Sequence, residues 1–247
     1  MPLRAPLALA GVVAVAAAGC AGPPGDGELT VFAAASLTTT FTAIAEAFTA
    51  AHPDVGVQTS FAGSADLIAQ LTGGAPADVL ATADAATMDK ARAAGLLAGP
   101  PVSFATNTLT IVVAPGNPKR INGFRDTGSV SLVVCAPQVP CGAALPRIAA
   151  ATGTPLNPVS EESSVTGVLA KVSSGQADAG VVYATDALAA ADRVAAVPFP
   201  EAADAVNSYR IAVLADAAHP DAAAEFVGTV TGSRGREILT AAGFGPP

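Results

Sequence analysis

Hydrophobic and polar positions alternate between two periods along this chain. Leu29-Thr30-Val31-Phe32 is a short β-rich run that ends in small residues and then Ser36. Phe41, Ile44, Ala45 and Phe48 follow at i, i+3, i+4 and i+7, the spacing of one helical face. His52-Pro53-Asp54 stops that helix, and Val55, Val57, Thr59 and Phe61 then alternate as a strand does. Ala62-Gly63-Ser64 leads into a second helix with Leu67, Ile68 and Leu71 inward, closed by Gly73-Gly74. Val79-Leu80 predicts a strand, and Thr87 to Ala94 a helix closed by Gly95.

The alternation resumes further on. Strands are predicted at Leu109–Val113, Leu132–Cys135, Gly180–Tyr183 and Ile211–Leu214. Helices are predicted at Leu145–Ala151, Ser164–Ser173, Asp186–Ala191, Asp221–Val230 and Arg234–Ala242. Repeated βα units imply α/β architecture with mostly parallel sheets flanked by helices. Ligands of such sheets sit beyond the carboxyl ends of the strands.

The first residues follow neither period. One Arg, no acid and an apolar run from Ala5 to Ala18, too short to span a membrane, read as a secretory signal over residues 1–19. Ala17-Ala18-Gly19 before Cys20 resembles a bacterial lipoprotein cleavage site, with Ala17 where Leu is usual. The resemblance implies lipid on Cys20, a flexible tether over 20–28, and a chain held outside the cytoplasm by that lipid alone. Cys135 and Cys141 fit an oxidising compartment as a disulfide; a pair of buried thiols is the alternative.

Composition narrows the chemistry. Of 247 residues, 51% are hydrophobic and 13% charged, enough to bury a core. Acidic residues number 20 against 12 Lys and Arg, which argues against nucleic acid as a partner. No phosphate-cradling glycine motif and no G-x-S-x-G occurs. Both histidines, His52 and His219, sit in His-Pro-Asp turns, so a serine hydrolase built on Ser36 or Ser64 would need one of them within reach. What the chain does offer is small polar residues at helix starts: Ser36, Ser64, Ser163-Ser164-Val165, and Tyr183 at a strand end. Unpaired N–H groups and a partial positive charge there suit an anion, although a serine in that place more often only caps its helix. No Lys or Arg lies in these junctions. Neutral donors suit a fully deprotonated oxyanion; a proton-bearing phosphate would need a carboxylate acceptor, for which Asp66 and Asp186 are near in sequence.

Val31-Phe32-Ala33-Ala34-Ala35-Ser36-Leu37, Phe61-Ala62-Gly63-Ser64, Gly74-Ala75-Pro76-Ala77-Asp78 with Ala83-Asp84, Gly180-Val181-Val182-Tyr183 with Asp186-Ala187, and Gly235 to Phe244 occur in this order. Together, from about Leu29 to Phe244, they resemble the molybdate-binding proteins of bacterial ABC importers. The resemblance implies a two-lobed type II periplasmic-binding fold, with 29–108 and 211–247 in one lobe and 109–210 in the other. It implies a monomer without cofactor or catalysis that captures molybdate or tungstate between its lobes and delivers it to a membrane permease. It assigns the anion to the hydroxyls of Ser36, Ser64 and Tyr183 and to backbone N–H groups of Cys141 and Val165. The chain departs from the pattern at Gly63, where Ser is common, and at Cys141, where Ala stands. Sulfate or another oxyanion in the same fold is the alternative ligand.

Overall fold

Two five-stranded sheets make up the body of the computed structural model, which describes residues 27–247. The signal, Cys20 and nearly all of the tether fall outside these residues. In chain order the elements are β1 (Glu28–Ala34), α1 (Thr38–Ala51), β2 (Gly56–Ala62), α2 (Ser64–Thr72), β3 (Val79–Thr82), α3 (Ala85–Ala93), β4 (Val102–Asn107) and β5 (Leu109–Val113). Then follow β6 (Leu132–Cys135), α4 (Pro140–Ala143), α5 (Leu145–Thr152), β7 (Ser160–Glu162), α6 (Val165–Ser173), β8 (Ala179–Tyr183) and α7 (Ala184–Ala189). The chain closes with β9 (Ala195–Val197), β10 (Asn207–Val213), α8 (Pro220–Thr231) and α9 (Ser233–Ala241).

The first sheet runs β2-β1-β3-β10-β4 and the second β7-β6-β8-β5-β9. The chain thus passes from one lobe to the other between Asn107 and Leu109 and returns before Asn207. Both sheets are mixed rather than mostly parallel. In the first, β10 runs antiparallel to β3 and to β4; in the second, β5 runs antiparallel to β8 and β9. The antiparallel strands are those next to the two crossings, where no βα unit sets the direction.

Two expected boundaries move. The return to the first lobe comes at Asn207 rather than Ile211, because Asn207 and Ser208 pair with Asn107 and Thr106 of β4. The first strand begins at Glu28, inside the segment expected as a tether, and Glu28 pairs with Gly56. Backbone pairing does not require an apolar side chain, and Glu28, Asn207 and Ser208 carry no hydrophobic signal.

Alanine, valine and leucine fill the interior. One core joins α1, α8 and the sheets through Phe41, Phe48, Phe104 and Phe226. A smaller one on the other face of the first sheet packs Leu67, Leu71, Leu80 and Met88. Among the described residues no helix is long and apolar enough to cross a membrane.

Candidate functional site

The loops that leave the strands at their carboxyl ends meet between the lobes. Ser36 lies in a 3-10 turn after β1, and Ser64 opens α2 after β2. From the second lobe come Cys141 in the first turn of α4, Val165 at the start of α6 and Tyr183 at the end of β8. All five line one narrow cavity of about 20 Å³, together with Gly63, Ala83 and Ser163. Ser64, Cys141, Val165 and Tyr183 are buried and Ser36 is half-buried. The cavity is lined by small, apolar and hydroxyl-bearing residues, without Lys, Arg, His, Asp or Glu. Asp66 and Asp186 are not among its lining residues.

The hydroxyls are held from behind. Ser64 Oγ accepts from the Ala83 N–H at 3.1 Å, which leaves its proton free. Ser36 Oγ lies 2.9 Å from Tyr209 Oη. The Asn207 amide reaches Tyr183 Oη at 2.8 Å, the Ala83 carbonyl at 3.2 Å and the Pro140 carbonyl at 3.3 Å, so one side chain ties the two lobes. Cys141 and Val165 sit in first turns, whose N–H groups have no partner inside their own helix. The sulfurs of Cys135 and Cys141 are bonded, with Cα atoms 5.7 Å apart. Gly142, just past the bridge, lies so close to this loop that a Cβ on it would clash with the Ala136 carbonyl oxygen.

Burial governs the titration of the surrounding groups. Desolvation holds both Tyr183 and Tyr209 well above the ordinary tyrosine range, so both remain neutral phenols. Asp186, in the first turn of α7, is pushed up to about 7 by burial, against the opposing pull of the Tyr183 N–H bond to its carboxylate at 3.1 Å.

The histidines lie elsewhere. His52 ends α1, whose 14 residues hold it about 20 Å from the Ser36 end. Both His-Pro-Asp turns line a different cavity, of about 480 Å³, with Glu225, and His52 Nδ1 is 3.3 Å from the Glu225 carboxylate. Neither serine of the cleft has a histidine partner, and the hydrolase reading falls. Among the described residues no cluster of His, Cys, Asp and Glu is arranged to hold a metal ion.

The model of the bacterial extracellular solute-binding proteins matches residues 29–245, both lobes and the cleft between them. This chain belongs to that family. A solute-binding protein of Mycobacterium tuberculosis, molybdate-binding protein ModA, is 56% identical over 230 residues, covering 92% of this chain and 88% of that protein. Among solved structures, the periplasmic molybdate-binding protein of Azotobacter vinelandii matches with a TM-score of 0.75 at 23% identity, covering 89% of this chain and 99% of that one. The sulfate-binding protein SubI of Mycobacterium tuberculosis matches at 0.74 and 22% identity, covering 89% and 87%. At such identities the two structures establish the shared fold. Membership makes the chain an extracytoplasmic binding protein of transport rather than an enzyme.

Ser36, Ser64, Val165 and Tyr183 stand at junctions that the local pattern marks, and Cys141 is reached only through the family resemblance, whereas Asn107, Asn207 and Tyr209 behind them are not marked. The isolated asparagines carried no signal. Tyr209 alternates with Ile211 along β10, a cue that would have extended that strand.

Proposed function

We propose that this protein captures molybdate, or the equally shaped tungstate, between its lobes and delivers it to an ABC permease. The observation that carries this reading is the meeting of Ser36, Ser64, Cys141, Val165 and Tyr183 on one cavity lined by no charged residue. Three hydroxyls and two backbone N–H groups form a set of donors around a tetrahedral dianion, which brings acceptors and no proton. A cation in the site would pull the anion harder but would also take any anion. Neutral donors in a dry cleft select by geometry and by the anion's lack of a proton. Identity to the mycobacterial molybdate-binding relative supports molybdate over sulfate.

Both lobes contribute donors, so the anion favours the closed arrangement by its differential affinity. The protein acts as a monomer, anchored through lipid on Cys20, which thioether-linked diacylglycerol in the mass of the mature amino terminus would establish. Calorimetric titration of the purified chain with molybdate, tungstate, sulfate and phosphate tests the ligand. Molybdate and tungstate should bind tightest and phosphate weakest. Sulfate binding tighter than molybdate would reassign the site to sulfate.

A further inference from the structure

The hydroxyls of Ser36 and Tyr183 each have a second residue behind them, and the directions of those hydrogen bonds can be read from their partners. Asn207 turns its amide nitrogen to the carbonyls of Ala83 and Pro140, which only accept. The same nitrogen meets Tyr183 Oη at 2.8 Å. An amide nitrogen donates and does not accept; its two N–H groups are shared among three acceptors, of which Tyr183 Oη is the nearest, so the phenol oxygen accepts there and its own proton points elsewhere.

The Ser36 side is ordered in the same way. Asn107 Oδ1 accepts from the Thr108 N–H at 3.0 Å, which turns its Nδ2 toward Thr185 Oγ1 at 2.7 Å and Tyr209 Oη at 3.4 Å. With an N–H directed at the Tyr209 oxygen, the Tyr209 proton is available to Ser36 Oγ, 2.9 Å away. Ser36 then accepts from Tyr209, and its own proton is left for the cavity. Asn107 and Asn207 face each other across β4 and β10, at the first and second crossing of the chain.

We infer that Asn107 and Asn207 are positioning residues that fix the polarity of the cleft: Asn207 directly through Tyr183, and Asn107 through Tyr209 and Ser36, present both hydroxyls as donors and so favour a fully deprotonated oxyanion over one that carries a proton. This rests on Ser36 and Tyr183 being anion-binding groups as proposed above. A lone hydroxyl rotates and can accept as easily as it donates, so it would serve hydrogen phosphate as well as molybdate. A hydroxyl whose oxygen already receives an N–H or O–H has one lone pair fewer to offer, and its proton is left for the cavity, so donation becomes its favoured role. The neutrality of both buried phenols keeps the protons in place. No carboxylate lines the cavity to receive a proton from the anion.

Two double-mutant cycles test the relay, read by calorimetry with molybdate and with phosphate. The first combines Asn207→Ala with Tyr183→Phe, the second Tyr209→Phe with Ser36→Ala. Asn207→Ala and Tyr209→Phe should each weaken molybdate binding by about tenfold or more. Each should cost less than about twofold once its partner hydroxyl is gone. Both single variants should also raise phosphate affinity relative to molybdate. Asn207→Ala strips the Ala83 and Pro140 carbonyls of a donor as well, but that cost is common to both backgrounds and cancels in the cycle. Should Asn207→Ala not fold, the Tyr209→Phe cycle decides alone, since that variant keeps the buried ring. Equal losses in both backgrounds, with wild-type protein binding molybdate, would overturn the relay and leave the ligand assignment standing. Wild-type protein that binds none of the oxyanions would overturn both.

Discussion

Gly63 of the first lobe stands so close to Ser163 of the second that a Cβ on it would lie 2.0 Å from the Ser163 carbonyl oxygen. The clash concerns closure, not local folding, because Gly63 has φ −58° and ψ 139°, a conformation open to any residue. Gly63→Ala should therefore leave thermal stability near wild type while holding the lobes apart. Overpacking of this kind costs about 1–3 kcal/mol, here taken from binding, or roughly 5- to 150-fold in affinity for molybdate. Small-angle scattering should show wild type shrinking on molybdate addition and the variant shrinking less. A variant that binds and contracts like wild type would sink the idea.

Ser36→Ala and Ser64→Ala should each weaken molybdate binding about 10- to 150-fold, the effect of one hydrogen bond to a charged acceptor. They should differ in stability. Ser64 Oγ is the acceptor for the buried Ala83 N–H, so its loss leaves that donor unpaired at a cost of about 1–3 kcal/mol. Ser36 has only the Tyr209 hydroxyl behind it and is half-buried. Calorimetry and urea unfolding on the same preparations separate the two effects.

Asp186 makes stability depend on pH. Its folded pKa of about 7 lies above the ordinary carboxylate value, so the folded state holds a proton that the unfolded chain has released. The neutral form's contribution is fully present below about pH 4 and is lost as pH rises to about 7. Asp186→Asn keeps an acceptor for the Tyr183 N–H and removes the buried charge. Relative to wild type, the variant should gain on the order of a few kcal/mol between pH 4 and pH 8. Urea melts at the two ends read the difference; a constant gap across that range would refute it.

The bond between Cys135 and Cys141 closes a short loop, and on the chain-entropy model it should stabilise the fold by roughly 2–3 kcal/mol. It also holds the turn that presents the Cys141 N–H, so reduction should weaken molybdate binding modestly by raising the ordering cost. Alkylation of the unreduced protein followed by mass spectrometry checks the bond. Two alkylated thiols at these positions would rule it out.

Most of this arrangement was legible in the chain, and what escaped has a common cause. Leu109–Val113 and Leu132–Cys135 fall where their apolar runs predict, because a buried strand writes its own hydrophobic signal. The strands Val102–Asn107, Ser160–Glu162 and Ala195–Val197 were not predicted. They are short or polar-rich edge strands, defined by partners far away in sequence. The cleft divides along the same line. Ser36, Ser64 and Tyr183 stand at strand ends, where local pattern points to them. Asn107 and Asn207 acquire meaning only when the antiparallel pairing of β4 with β10 brings them opposite each other, a contact that one sequence does not display.

Tyr183 and Tyr209, rings 5.7 Å apart, are the chain's two tyrosines, and it has no tryptophan. The tyrosine signal of the protein therefore originates wholly in and directly behind the cleft. Intrinsic tyrosine emission and the tyrosine bands of the near-ultraviolet dichroism will report on the ligand cleft, so occupancy can be followed in real time with no label attached.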